Sequence, residues 1–377
     1  MYAQKNICPR CKSTNKKRAG KVLLHVFTRR GWRDKRYQSY RCKHCHCLWH
    51  NAHLIGMFTI EMIEWAAYIY IRSMSLENTC DIVRASFSMD VLSKDILLDH
   101  MEKLCDQLPS VSDVTKALKP YRSGYYAWDG TWFKLGREQR VLLICFDVNT
   151  LDIVGYHVAF DENYDTYLEL IEKIKETEPK TLAQPSGFFS DGELGLLKLL
   201  KEQFPKTPLQ LCAFHKYSRI GQIVPFVRPK EIDKHIKAMT EDVIFAPTKL
   251  HAQKALLKLK RYAQAHQENR KLKKVVGILK RNFDLLLTHF DHPEMSPYNN
   301  VLEGFNHIIK RKLRLMKGFK KEQNIDRWLK LILLEYRFHI IRSSKFKSRN
   351  GKSPLQLAKV DLPKIYNWLT FVRKNIG

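Results

Sequence analysis

Asp129, Asp191 and Glu303 are the residues of this chain whose types and placement suit metal-dependent chemistry. Asp129 stands in YYAWDGTWFKL and Asp191 in SGFFSDG, and each reads as the end of an apolar, strand-like segment. Neighbouring strand ends would bring the two carboxylates close enough to bridge a hard cation such as Mg²⁺. Both also have plainer readings: Asp129-Gly130 is a hairpin signal, and Asp191 is placed to cap a helix starting at Glu193. Glu303 comes much later, in PYNNVLEGFNHIIKRKLRL. If Asn300 caps that helix, Glu303 takes the capping-box position. Yet Asn299, Glu303, Asn306 and His307 share or border one helical face, which Lys310 and Arg314 continue as a basic one. An acid leading into a cationic face suits a metal site beside a phosphate track.

A second chemistry is written in the cysteines. Cys8-Pro-Arg-Cys11 and Cys42-Lys-His-Cys45 are two knuckles around VLLHVFTRRGWRDKRYQSYRC, read as two short strands about the polar turn TRRGWRDK. Four thiolates at two tight turns close a tetrahedral Zn²⁺ shell, and a module this small needs the metal for want of core. Cys47, His44, His46 and His50 are neighbouring donors, but Cys45 has the regular spacing. Arg29, Arg30, Arg33, Lys35 and Arg36 on the intervening turn would reach a DNA backbone. The chain has nine cysteines, and those outside the two pairs are scattered, so they describe a reducing compartment rather than a disulfide framework.

Elements must position these groups. The length of 377 residues suits two to three domains. Between 57 and 107 the apolar period becomes helical, in three segments with short joints, which fits a helix-turn-helix unit. Ser75 and Ser88 are placed to cap its second and third helices, with Asp90 in the first turn of the third. LPSVSDVTKALKPYRSG reads as a linker broken by Pro109 and Pro120. Three strands follow, with turns at Asp129-Gly130 and Asn149-Thr150, and then helix, the strand SGFFSDG, helix, the strand LQLCAFH, and a helix from near Lys216. That order is the order of an RNase H-like α/β layer with a mixed sheet. Residues 216–298 read as helical and basic, and NIDRWLKLILLEYRFHIIR as a helix packing back on the catalytic layer. Asp147, Asp161 and Glu193 read as turn or cap residues, His157 as a packed or surface histidine, and Trp128 and Trp132 as core aromatics.

Charge narrows the partner. The chain holds 66 Lys/Arg against 38 Asp/Glu, a formal +28, with 44% hydrophobic residues, which describes a folded protein facing a polyanion. Residues 1–50 carry 14 Lys/Arg and one acid, and residues 310–377 carry 19 against four, whereas residues 120–200 reverse the balance with eight against 13. Flanks that hold phosphate around a carboxylate-rich centre would look like this. No apolar leader segment or membrane-length apolar run is visible, so a soluble, unexported protein is expected.

Asp129-Gly-Thr, Asp191-Gly, Cys212-Ala-Phe-His215 and Asn299-Asn300-Val-Leu-Glu303-Gly-Phe-Asn306, in that order, resemble the DDE transposases of prokaryotic insertion sequences, in the broad Mutator-like grouping. Gly351-Lys-Ser-Pro354-Leu is also similar to family members, and the likeness extends over nearly the whole chain. The resemblance implies a multidomain protein: a zinc ribbon at 1–53, a helix-turn-helix at 54–108, an RNase H-like core at 121–215, a helical insertion at 216–298, and a completing segment with basic C-terminal helices at 299–377. It implies Asp129, Asp191 and Glu303 as the catalytic triad, holding two Mg²⁺ (or Mn²⁺) ions. Cys212, His215, Asn299 and Asn306 would support the site without a metal of their own, and Zn²⁺ would be structural. Lys310 and Arg314 would join the N-terminal basic residues in contacting double-stranded DNA. A homo-oligomer, at least a dimer, and a cytoplasmic, nucleoid-associated location follow from the same likeness, with no membrane partner. A nuclease or resolvase on the same fold, and a non-catalytic DNA-binding regulator, remain alternatives.

Overall fold

A computed structural model of the chain describes residues 7–376 apart from 53, 73–74, 88–91, 226, 228–229 and 364–366. By contact the chain separates into two units: one of residues 1–117, 311–338 and 362–377, the other of 118–310 and 339–361.

The first unit opens with β1 (Lys16–Thr28) and β2 (Gly31–Cys42), an antiparallel hairpin. Then come β3 (Leu48–His50), β4 (Leu54–Ile55) and β5 (Phe58–Thr59), giving a five-stranded sheet of order β3-β2-β1-β5-β4. The hairpin is longer than its sequence suggested. Thr28 pairs with Gly31, so only Arg29 and Arg30 form the turn, closed by Gly31 at φ 82°. Arg33, Lys35 and Arg36 lie on β2, not on a turn.

Helices α1 (Ile60–Ile71), α2 (Leu76–Phe87) and α3 (Lys94–Cys105) follow. Ser75 Oγ accepts from the Asn78 amide, as a cap of α2 does. Ser88 and Asp90 fall outside the described residues; α3 is capped instead by Ser93, whose side chain accepts from Ile96 N. The expected linker contains a helix, α4 (Val111–Leu118), because Val111, Val114 and Thr115 supply a buried stripe.

In the second unit β6 (Tyr125–Leu135), β7 (Glu138–Asp147), β8 (Ile153–Ala159), β9 (Gly187–Ser190) and β10 (Leu209–Leu211) form a mixed sheet of order β10-β9-β6-β7-β8. β6–β7 and β7–β8 are antiparallel, β6–β9 and β9–β10 parallel. β7 is buried continuously from Arg140 to Asp147, as a strand covered on both faces must be. Its partner β6 runs straight through Asp129-Gly130, which is therefore not a hairpin turn; the reversal comes at Gly136, with φ 60°.

Helices α5 (Tyr164–Thr177) and α6 (Leu194–Gln203) connect the parallel strands. Trp128 is fully buried under them against Tyr167 and Phe188. After β10 come α7 (Ala213–Gly221), α8 (Glu231–Ile244), α9 (Lys249–Ala265), α10 (Arg270–Lys280) and two single turns, α11 (Phe283–Leu286) and α12 (Thr288–Asp291). α13 (Asn300–Leu315) carries Glu303, and Ser353 caps the short α15 (Pro354–Leu357) with a capping box. Between these last two lies α14 (Gln323–Phe338), which with α16 (Trp368–Asn375) belongs to the first unit. There Trp328 on α14 meets Tyr70 on α1, and Thr370 and Arg373 on α16 donate to the buried Glu64 at 2.6 Å each. α14 was expected on the catalytic layer; its apolar face instead serves the N-terminal helices.

Candidate active site and metal centre

The N-terminal cysteines converge. The Sγ atoms of Cys8, Cys11, Cys42 and Cys45 all lie within 4.8 Å of one another, with Cys8–Cys45 and Cys11–Cys42 at 3.5 Å, and none is in a disulfide. Each knuckle turns through a residue of positive φ just after its second cysteine, Lys12 and His46. That turn aims backbone N–H groups at sulfur, as the amides of His44 and Cys45 do at Cys42. The Cys45 and His44 amides lower the Cys42 thiol pKa, with burial opposing them. For Cys8 burial opposes ionisation, but the amides of Cys11 and Arg10 outweigh it and bring the thiol to about 6. For Cys11 the Ser13 amide favours ionisation, but burial and the sulfurs of Cys45, Cys42 and Cys8 outweigh it and raise the thiol to about 12. Four sulfurs with part of their number already inclined to ionise are a donor set for Zn²⁺. Their core is small, chiefly Trp49 and Tyr40, which is why a metal matters there.

In the second unit, backbone register brings two carboxylates side by side. Trp128 on β6 pairs with Ser190, the last residue of the parallel β9, so Asp129 on β6 and Asp191 just past the end of β9 come next on neighbouring chains of the sheet. Gly192 then turns at φ 104°, a conformation open to glycine. Glu193 caps α6 by accepting from Leu196 N at 2.6 Å, so the cap does not fall to Asp191. Asp129 Oδ1 accepts from the Gly130 amide at 2.8 Å, and Oδ2 accepts from Asn306 Nδ2 at 2.6 Å. Burial, and then the charge of Asp191, push Asp129 up to about 7.

Glu303 arrives on α13. Its amide bonds to the Asn299 carbonyl at 3.2 Å, which makes Asn299 the cap rather than Asn300 and moves Glu303 one place beyond the capping box. Asn306, one turn further along α13, is the residue that reaches Asp129. The Glu303 carboxylate itself lies with Cys212 and His215, one ligand atom from each falling within 4.8 Å of the others. His215 Nδ1 is 3.5 Å from Glu303 Oε1, and neither atom makes a hydrogen bond although both are buried; the buried Asn299 Oδ1 is likewise unmatched. Cys212 stands at the N-cap position of α7, without a side-chain capping bond, and His215 sits in its first turn, so that helix starts earlier than the sequence suggested. Interaction with Cys212, and then the charges of Asp129 and Asp191, raise His215 to about 9 against the effect of burial. Among the described residues, the sets of three or more donors that close to 4.8 Å are the four N-terminal cysteines and Cys212–His215–Glu303; the three carboxylates are not drawn together to that distance.

One acid beside the site was missed. Glu162, just before α5, lies under Gly130, where a Cβ would meet its carboxyl carbon at 2.7 Å. Tyr167 donates to it at 2.6 Å, and burial, then the charges of Asp191 and Glu193, raise its pKa. The available signal was a glycine inside a strand, which marks close approach of another group. The neighbouring acids are engaged by local backbone: Asp147 accepts from Ser123, Asn149 and Thr150, and Asp161 from the Glu162 amide. His157 pairs with Glu169 at 2.9 Å, and Trp132 is 42% exposed rather than core. Arg29, Arg30, Arg33, Lys35, Arg36, Lys310 and Arg314 are all exposed.

The sequence profile described as "Transposase, Mutator family" matches residues 68–343, a stretch that holds all three carboxylates. The chain belongs to the Mutator family of transposases. It is 24% identical over 274 residues to the transposase for insertion sequence element IS1201 of Lactobacillus helveticus, covering 66% of this chain and 71% of that one. It is 25% identical over 190 residues to the transposase for insertion sequence element IS905 of Lactococcus lactis, covering 49% of this chain and 45% of the relative. No helix among the described residues of this family member is long and apolar enough to cross a membrane.

Proposed function

We propose that this chain is a DDE-type DNA transposase that binds the terminal inverted repeats of an insertion sequence, cuts DNA there and joins the freed 3′-OH to target DNA. The observation that carries the reading is the β6–β9 register, which sets Asp129 beside Asp191, together with Asn306, which ties the helix of Glu303 to Asp129. The sheet order and its mixed direction support an RNase H-like core, and the four N-terminal cysteines support a zinc ribbon.

Asp129, Asp191 and Glu303 would hold two Mg²⁺ ions, hard cations that prefer oxygen donors. The donor chemistry fits: burial, and then the charge of Asp191, raise the pKa of Asp129, and the buried Glu303 Oε1 has no hydrogen-bond partner. Bound there, the ions would neutralise phosphate charge and activate first water and then the 3′-OH. The protein's own part is positional. Asn306 and the Gly130 amide each hold one oxygen of Asp129, fixing the plane of its carboxylate. Cys212 and His215 are positioning residues for Glu303, which must turn about its side-chain torsions to meet Asp129. Asn306, one turn along, already makes that contact, so the reach is within a side chain's length. Exposed Arg29, Arg30, Arg33, Lys35 and Arg36 on the hairpin, and Lys310 and Arg314 on α13, would contact phosphates of double-stranded DNA. Two DNA ends need two active sites, hence a homo-oligomer.

The test is purified, zinc-loaded protein on labelled duplex carrying the element ends, with and without Mg²⁺, beside Glu303→Ala. Mg²⁺-dependent cleavage and joining, both lost in the variant, are expected. Cleavage without joining would point to a nuclease or resolvase, and end-specific binding without cleavage to a regulator.

A further inference from the structure

We propose that the cleft between α7 and α10 is a phosphate-binding site that holds the backbone of duplex DNA, separate from the carboxylate site. It rests on the DNA reading above and adds a contact that the sequence did not single out. The cleft has a volume of about 380 Å³, within the range of ligand-binding sites, and Lys216, Arg219, Lys274 and Arg281 line it without any acid.

The two helices present these charges by simple periodicity. α10 buries Leu272, Val275 and Leu279 in the core, which turns Lys274 and Gly277 outward, and the exposed Arg281 follows directly after its last turn. α7 buries Ala213 and Ile220 and offers Lys216 and Arg219 from the opposite wall. Lys216 Nζ donates to the Arg281 carbonyl at 2.7 Å, which joins the two walls. Neither helix contains an acid. Some lysines of this helical stretch are matched by carboxylates: Lys234 by Glu231, Lys249 by Asp291 and Lys271 by Asp233. Among the described residues, no carboxylate pairs with the four cations of the cleft. Four like charges around one hollow repel one another, and an anion in it relieves that repulsion.

Gly277 is the independent observation. A glycine in a helix interior is disfavoured relative to alanine, and close packing is its usual justification. Here a Cβ would meet nothing within 4 Å, so packing does not require the glycine. It lines the cleft between Lys274 and Arg281, where a larger side chain would project into it. Two arginines among the four cations suit the forked geometry of phosphate oxygens, and such contacts are independent of base sequence.

The test is fluorescence anisotropy of the zinc-loaded full chain with a terminal-repeat duplex and a scrambled duplex over a salt series. Wild type is compared with Lys274→Gln/Arg281→Gln, with Gly277→Glu, and with Lys254→Gln/Lys258→Gln on α9 as a matched charge control. Lys274, Gly277 and Arg281 are exposed, and melting curves check that the fold survives. The cleft variants should weaken both duplexes by the same factor, and the double variant should make the log K against log salt slope shallower by about one to two, with the control unchanged. An unchanged slope, or an equal change in the control, overturns the proposal alone. Loss of a thermal shift by inorganic phosphate with the DNA slope intact also overturns it, because the ligand is then a small free anion. A wild type that binds neither duplex overturns the transposase reading as well.

Discussion

Asp129→Asn should flatten the pH dependence of stability in zinc-loaded protein without Mg²⁺. In the folded chain burial and the Asp191 charge bring Asp129 to about 7, against an ordinary value of 3.8. A carboxyl whose folded pKa is raised binds protons better folded than unfolded, so stability falls as pH rises from about 4 to about 7. The full displacement corresponds to about 4 kcal/mol, of which about 2–3 kcal/mol is lost between pH 5 and pH 8. For a unit of this size that is a melting-temperature decrease of about 5–10 °C, which the asparagine variant should lack. Asparagine keeps only one of the two acceptors used by Gly130 and Asn306, but that offset does not vary with pH. The assay is thermal unfolding at pH 5 and pH 8, each with and without Mg²⁺. Mg²⁺ should stabilise wild type at pH 8 through binding to the folded state, and the variant much less. Equal pH slopes in the two proteins, or equal Mg²⁺ stabilisation, would refute a raised Asp129 pKa and a cation site at this carboxylate.

Other perturbations separate the parts of the molecule. Cys42→Ser should take bound zinc, measured by elemental mass spectrometry, from one per chain to none and remove repeat binding, whereas Cys212→Ser should leave the zinc count at one. Arg122 is held at 2.8 Å by the buried Asp152 and 2.6 Å by the partly buried Glu178, so Arg122→Ala removes the cation that these two acids share. That loss should cost about 3–5 kcal/mol and be visible in chemical denaturation; an unchanged midpoint would contradict it.

The four-cysteine cluster was legible because Cys-x-x-Cys puts both donors on one tight turn, so spacing alone specifies local geometry. Asp129 and Asp191 were legible as strand residues, yet their adjacency depends on which strands pair, and that is set by register across the sheet. The Asp129-Gly130 pair misled because Asp-Gly favours turns; here the glycine makes room for Glu162 under a continuous strand. Asn300 was the better cap by position, but the backbone bond from Glu303 selects Asn299. α14 showed its apolar face plainly, but periodicity does not say what an apolar face will meet. The link from Asn306 to Asp129 is a long-range contact with no local trace in either segment.

The central claim is that Asp129, Asp191 and Glu303 hold the divalent cations of one reaction centre. Electron paramagnetic resonance of Mn²⁺ titrated into zinc-loaded protein with a terminal-repeat duplex tests it most directly. The account predicts two bound Mn²⁺ per chain, lost in Asp129→Asn and Asp191→Asn and weakened in Glu303→Gln. Mn²⁺ binding that survives both aspartate substitutions, and depends instead on Cys212 and His215, would contradict it.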